Sequence, residues 1–251
     1  MDRKRIDKTI RNPWLKSRRI EEDYARQLRG VAREVGRIVN AFPAGEIEYL
    51  SELIRSLNAY SEALKPWAKM TARRVLSMVV EQDDDAWKRH SREMGIELRK
   101  QIETAPIGET LRKSLDQQVE LITSLPIEAG QRVHQLTTEA QWQGTRAKDI
   151  AAEIKKTGAV TASRATLIAR TEVSRTSQEL VQARAEHIGS PGYIWHTAHD
   201  SDVRPEHKKM DGKFVRWDSP PTLKEGNKEY TFHAGCIFNC RCWAEPVAPE
   251  F

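Results

Sequence analysis

The chain has 251 residues, of which 39% are hydrophobic and 31% are charged. This composition is too apolar for a disordered protein and polar for a single compact globule, which favours long, partly exposed helices beside a modest core. No apolar run reaches the ~18 residues that a membrane-spanning helix needs, and the N-terminus lacks the apolar stretch of a signal peptide, so we expect no membrane partner.

The net charge of +5 is concentrated at the N-terminus. Residues 1–19 hold eight Lys or Arg against two acidic residues, so the rest of the chain sums to −1. Such a basic arm is either a solvated tail or a segment that binds phosphate or an acidic protein surface. We predict contact with double-stranded DNA, independent of base sequence, by the cations of the arm: Arg3, Lys4, Arg5, Lys8, Arg11, Lys16, Arg18 and Arg19.

Residues 20–188 predict one helix after another. Apolar residues between Ile47 and Leu64 recur at spacings of three and four, which is typical of a helix with one buried face. Pro66 is expected to open a second, long helix that extends to Ile102. A further helix, from Leu111, is expected to stop near Pro126, with shorter helices over 127–142 and 145–157.

A helix over 161–187 closes this part of the chain. Its periodicity places Glu172 on the inward face, where a buried carboxylate needs a partner. Arg164, Arg170 and Arg175 are within reach by helix spacing. We therefore interpret Glu172 and Arg170 as structural residues that fix helix packing, while a catalytic role of Glu172 is the alternative.

From residue 190 the pattern changes to that of a small β-rich module. Residues 193–197 predict a strand, and Asp211-Gly212 predicts a hairpin turn. The segment 219–232 is expected to be irregular. The final segment, CRCWAEPV, predicts a strand with Cys240, Cys242 and Ala244 on one face.

All three cysteines of the chain lie within seven residues of this module, together with several histidines. They can be small buried hydrophobic residues, a disulfide, or metal ligands, although a reducing compartment and the strain of close pairing argue against the disulfide. A domain of about 60 residues commonly needs a disulfide or a bound metal ion to be stable. We predict a structural zinc site formed by Cys236, Cys240, Cys242 and His207, with His233 as the alternative fourth ligand.

A second group of polar residues lies in HTAHDSDVRPEHKKMDG. Asp200, Asp202 and His207 can form the metal site of a nuclease or toxin-like enzyme, which is the alternative function. The other interpretation is structural: Asp200 and Asp202 bind turn amides, Pro205 starts a short helix, and Asp211-Gly212 turns the chain.

Four stretches in this order resemble the phage Mu protein F-like head-morphogenesis family, the minor head proteins of tailed phages. They are GTRAKDIAAEIKKTG, RATLIARTEVSRTSQELVQARAEHIG, YIWHTAHDSDVRPEHKKMDG and NCRCWAEP. The family pattern falls on the following residues: Arg170, Thr171, Glu172, Trp195, Asp202, Arg204, His207, Asp211, Gly212, Cys240, Arg241 and Cys242. One departure is that Cys236 stands where many members have a histidine.

The resemblance implies a non-enzymatic virion component inside the head, assembled in the host cytoplasm. Its partners would be the portal and capsid or scaffold proteins, and its role procapsid assembly and genome packaging or delivery. We expect a mainly α protein with a small C-terminal α+β domain. The expected segments are a basic arm (1–19), an N-terminal helical region (20–125), the helical part of the head-morphogenesis domain (126–189) and a small Cys/His domain (190–251).

Overall fold

The computed structural model describes residues 18–90 and 104–249. The described part is mainly helical and carries a small strand-containing region at its C-terminal end, which confirms the predicted fold class. In chain order its elements are α1 (Arg18–Asn40), α2 (Ile47–His90), α3 (Gly108–Trp142), α4 (Ala147–Lys155), α5 (Thr157–His187), β1 (Gly192–His196), α6 (Pro205–Met210), β2 (Phe214–Arg216), β3 (Thr222–Glu225), β4 (Lys228–Thr231) and β5 (Trp243–Pro246).

Two predicted helix boundaries are wrong, because α2 runs through Pro66 and α3 runs through Pro126. A proline inside a helix removes one backbone hydrogen bond and costs about 3 kcal/mol. Buried apolar residues continue on both sides of each proline, such as Leu64 and Ala68 in α2. Burying one large apolar side chain contributes ~1.5–3 kcal/mol, so a few of them offset the proline. The predicted extension of this helix to Ile102 lies outside the described residues.

One compact unit consists of Glu21–Leu76 and Arg112–Glu172. Its core takes residues from four helices: Val35, Val39, Leu53, Leu57, Ala129, Val133 and Ile154. Between two of these helices, the Ser61 hydroxyl on α2 donates a 2.7 Å hydrogen bond to the Thr123 carbonyl on α3. The apolar stripes found in the sequence therefore pack against one another in a helical bundle.

Glu172 is buried in this unit, with 3% of its surface exposed. Burial raises the pKa of the Tyr24 hydroxyl, and the negative charge of Glu172 raises it further. Of the arginines that helix spacing offered as partners, Arg164 pairs with Glu128 at 3.1 Å and Arg170 is exposed. Burial of Glu172 agrees with its helical phase, whereas Arg170 does not share that burial.

The second compact unit contains the described residues of Met1–Ile20, Ser77–Leu111 and Val173–Phe251. Its sheet has the order β2-β1-β5, and β1 pairs antiparallel with both neighbours. Tyr193 and Trp195 on β1 are fully buried. Helical residues complete this core, with Trp87 from α2 and Val181 from α5 packed in the same cluster. The segment after residue 190 is thus part of a larger core than its own length suggests.

The β-rich segment differs from the prediction in three places. The stretch 219–232, expected to be irregular, contains an antiparallel hairpin of β3 and β4. Asp211 and Gly212 do form a turn, closed by the bond from the Lys213 amide to the Met210 carbonyl, but it joins α6 to β2 and not two paired strands. The last strand begins at Trp243, so Cys240 and Cys242 precede it. Within the described residues, no helix combines the length and apolarity that crossing a membrane requires.

Candidate metal centre

His207 lies on the short helix α6 and is 2% exposed. Arg204 precedes this helix in extended conformation, and Pro205 occupies its first turn, where the missing amide hydrogen is not needed. Helix geometry then directs His207 inward, where its ring stands edge-on to Trp195 at a centroid distance of 5.7 Å. Helix α6 therefore places an imidazole inside the core.

Two consecutive tight turns position the cysteines. The Cys236 amide bonds the His233 carbonyl at 3.1 Å, and the Cys240 amide bonds the Ile237 carbonyl at 3.1 Å. Each turn has a positive φ at its third residue, 77° at Gly235 and 53° at Asn239, a conformation that Gly and Asn adopt most readily. After the second turn, Cys240 and Cys242 are buried while Arg241 between them is exposed, which is the alternation typical of an extended segment.

Three potential metal ligands converge at this point: His207, Cys240 and Cys242. The Nδ1 atom of His207 lies 3.3 Å from Sγ of Cys242 and 3.5 Å from Sγ of Cys240. All three side chains are buried. A tetrahedral zinc ion with Zn–N of about 2.0 Å and Zn–S of about 2.3 Å separates nitrogen and sulfur ligands by roughly 3.5 Å. The donor types and their spacing fit zinc.

The other ring nitrogen of His207 is engaged by a carboxylate. Its Nε2 atom lies 2.6 Å from Oε1 of Glu225 at the end of β3, and Glu225 is largely buried. The second carboxylate oxygen pairs with Nε of Arg204 at 3.0 Å. Arg204 also donates a 2.8 Å hydrogen bond to the Phe238 carbonyl in the cysteine-bearing loop. Glu225 and Arg204 thus connect α6, β3 and the cysteine loop.

The electrostatics favour negative charge on one sulfur. Contacts with the Cys242 thiol and with the His207 ring hold the pKa of Cys240 well below its usual value despite burial. Its bond to Cys240 raises the pKa of Cys242. Burial opposes protonation of His207, but the contacts with Cys240 and Glu225 raise its pKa overall. A buried thiolate beside an imidazole is an arrangement that can hold a metal ion.

Of the predicted ligands, the structure leaves Cys236 and His233 outside this group. The Cys236 thiol faces the Ala234 carbonyl at 3.7 Å, and burial raises its pKa. Nδ1 of His233 lies 3.1 Å from the Tyr193 hydroxyl. The structure therefore assembles three of the five residues considered from the sequence.

The acidic residues of the alternative enzymatic site do not join His207. Asp200 pairs with Arg241 at 2.7 Å, and Asp202 pairs with the same guanidinium at 3.2 Å. Asp200 also accepts the Asp202 amide at 3.0 Å, as an Asx turn does. These contacts agree with the structural interpretation of both aspartates.

Asp211 binds the residue that directly follows strand β1. Its carboxylate accepts hydrogen bonds from the Thr197 amide at 2.8 Å and from the Thr197 hydroxyl at 3.1 Å. Gly212 has φ of 76°, and nothing lies within 4 Å of a Cβ placed on it.

Six of the eight predicted DNA contacts lie outside the described residues: Arg3, Lys4, Arg5, Lys8, Arg11 and Lys16. Arg18 and Arg19 are exposed at the start of α1.

Glu225 is a residue of the site that the sequence patterns do not predict. Glu225 ends β3 immediately before Gly226-Asn227, the turn of the β3–β4 hairpin. A Gly-Asn pair between two short runs with β-forming residues is a hairpin signal, so the strand could have been found. Its contact with a histidine 18 residues earlier is tertiary and leaves no local pattern.

Comparison with known proteins confirms the resemblance. Residues 131–245 match the family model described as Phage Mu protein F like protein. A curated relative, an uncharacterized protein of Haemophilus influenzae, is 34% identical over 154 residues. That alignment covers 61% of this chain and 33% of the relative, so the chain spans about a third of the relative's length. No solved structure matches.

Proposed function

We propose, from the family match over residues 131–245, that the chain is a minor head protein of a tailed bacteriophage. It lies inside the head, associates with the portal and with capsid or scaffold proteins, and acts in procapsid assembly and in packaging or delivery of the genome. The match is the observation that carries this proposal, because it spans most of the buried core and the Cys/His cluster of the second unit.

A structural role is supported by how the polar residues of the matched region are used. Asp200, Asp202 and Arg241 hold one another at the surface, and Asp211 binds the backbone after β1. The converging metal-type ligands are buried. Hydrolysis by a metal site needs a coordination position that water and substrate can reach. Buried ligands and self-paired aspartates are better suited to holding a fold together.

Contact with the genome is assigned to residues 1–19. Arg18 and Arg19 are the two cations of this arm that the structure describes, and both side chains are exposed, as phosphate contact requires. Phosphate contacts carry no base information, so binding is independent of DNA sequence.

The experiment that tests the proposal locates the chain in particles. A tagged chain is produced from the phage genome, and DNA-filled heads are purified on a density gradient and treated with protease. We expect the tag to copurify with the heads, to resist protease while they are closed, and to become cleavable once they are opened. A chain that is missing from purified heads, or that is cleaved on closed ones, contradicts the proposal.

The enzymatic alternative is tested separately on the purified chain. Supercoiled plasmid incubated with magnesium or manganese should remain intact. If nicking is seen, it should be traced with Asp200→Ala and Asp202→Ala, and loss of nicking in both variants would replace the structural role with catalysis.

A further inference from the structure

We propose that His207, Cys240 and Cys242 bind one zinc ion, through Nδ1 of the imidazole and the two thiolates, as a structural site. Glu225 is the residue that positions the imidazole. The ion joins helix α6 to the loop that precedes β5. This inference rests on the arrangement of described side chains and does not depend on the proposed role in the phage head.

The orientation of His207 is the first reason. Its Nε2 atom lies 2.6 Å from the Glu225 carboxylate, which can only accept a hydrogen bond, so Nε2 carries the proton. In the neutral imidazole the lone pair is then on Nδ1, which faces both sulfurs at 3.3 and 3.5 Å. A carboxylate that orients a metal-binding histidine through its other nitrogen is a recurrent feature of zinc sites.

The donor set selects the class of metal. Two thiolates and one imidazole are ligands for zinc and not for magnesium or calcium, which prefer oxygen. The cysteines are free thiols in the structure, so their sulfurs are available to an ion. The buried environment also shields them from bulk solvent.

Charge balance is the second reason. Burying two thiolates is costly unless positive charge accompanies them. With a divalent ion bound, its two positive charges balance Cys240 and Cys242. The charge of Arg204 balances Glu225, with which it pairs at 3.0 Å. The loaded site is electrically neutral, with every charge beside an opposite one.

The structure also separates the site from the remaining cysteine. Cys236 lies outside the converging group and faces the Ala234 carbonyl. The three residues supply three of the four ligands of a tetrahedral zinc ion. Cys236→Ser is therefore a matched control, because it removes a thiol four residues from Cys240 without removing a ligand.

The test uses the full chain, stripped of metal by a chelator under reducing conditions and titrated with zinc against a chromophoric competitor. We expect about one zinc ion per chain, loss of binding in Cys240→Ser and in His207→Ala, and affinity within a few-fold of the parent in Cys236→Ser. Glu225→Gln should bind zinc about 10–100-fold more weakly. Glu229→Gln, on the exposed partner strand of the same hairpin, should bind like the parent.

Variants that lose a ligand can also fail to fold, so the parent chain provides an independent measurement. Cobalt(II) added to the metal-free parent should give thiolate-to-cobalt charge-transfer absorption, and Cys236→Ser should give the same intensity. Hydrogen exchange of the segment 205–242 should slow when zinc is added. The proposal is overturned if the parent binds no zinc, if cobalt shows no thiolate absorption, or if Cys236→Ser loses binding as fully as Cys240→Ser.

Discussion

Arg184 on α5 donates a 2.7 Å hydrogen bond from Nε to Oδ2 of Asp83 on α2, and both side chains are buried. The two residues are 101 positions apart in the chain. The same guanidinium also binds Asp84, whose side chain is 41% exposed. Both helices contribute to the core of the second unit through Trp87 and Val181, so this ion pair fixes them within that core.

Replacing Asp83 should strongly destabilise this unit. Asp83→Ala leaves the buried Arg184 without its buried carboxylate, and removing one partner of such a pair costs about 3–5 kcal/mol. Asp84→Ala is the control, because its exposed carboxylate contributes less than about 1 kcal/mol. Denaturant unfolding followed by tryptophan fluorescence measures both. Equal losses in the two variants would contradict a special role of Asp83.

Glu172 is expected to stabilise the other unit. The side chain is buried, and its charge acts on buried Tyr24. Glu172→Ala should lower the free energy of unfolding by roughly 3 kcal/mol, as expected when a buried charged partner is removed. Arg170→Ala, an exposed position on the same helix, should stay within about 0.5 kcal/mol of the parent. A stable but inactive Glu172→Ala would show a chemical role instead.

Gly235 is expected to tolerate no side chain. Its φ is 77°, and an added Cβ would lie 2.6 Å from Cγ of Gln178 and 2.8 Å from the carbonyl of Cys242. Gly235→Ala should cost about 3–5 kcal/mol, from backbone strain together with overpacking. Gly212→Ala has the same backbone strain but open space, and should cost only about 1–2 kcal/mol.

Thermal and denaturant unfolding of the two glycine variants separate these contributions. If Gly212→Ala is destabilised as much as Gly235→Ala, strain alone accounts for both. The close contact of the cysteine loop with α5 would then make no measurable contribution to the free energy of unfolding.

Residues 1–19 are expected to supply most of the affinity for duplex DNA. If about half of the eight cations reach phosphates, log affinity should fall with log salt with a slope near −4, from ~0.9 per contact. Removing the arm should flatten this slope while the helical signal in circular dichroism is retained. An arm of scrambled order keeps the charge and should keep the slope. Unchanged binding after removal would move the DNA contact elsewhere.

Several features of the protein were determined by local sequence. Residue spacing predicts the helices before residue 188 and the change to short strands after Gly192. It also predicts that Cys240 and Cys242 face the same side, and both are buried. These patterns are readable because the period of a helix or an extended segment decides which side chains face inward. The order of four stretches also identified the family that matches residues 131–245.

Other features were decided only by tertiary packing. Pro66 and Pro126 lie inside helices because apolar contacts on both sides outweigh one lost hydrogen bond, and no local signal reports that balance. His207 joins Cys240 and Cys242, while Cys236, closer in sequence, does not. Sequence spacing bounds how near two side chains can come, but the two turns and the position of α6 set where their donor atoms point. Glu225 entered the site for the same reason, through a contact made in three dimensions.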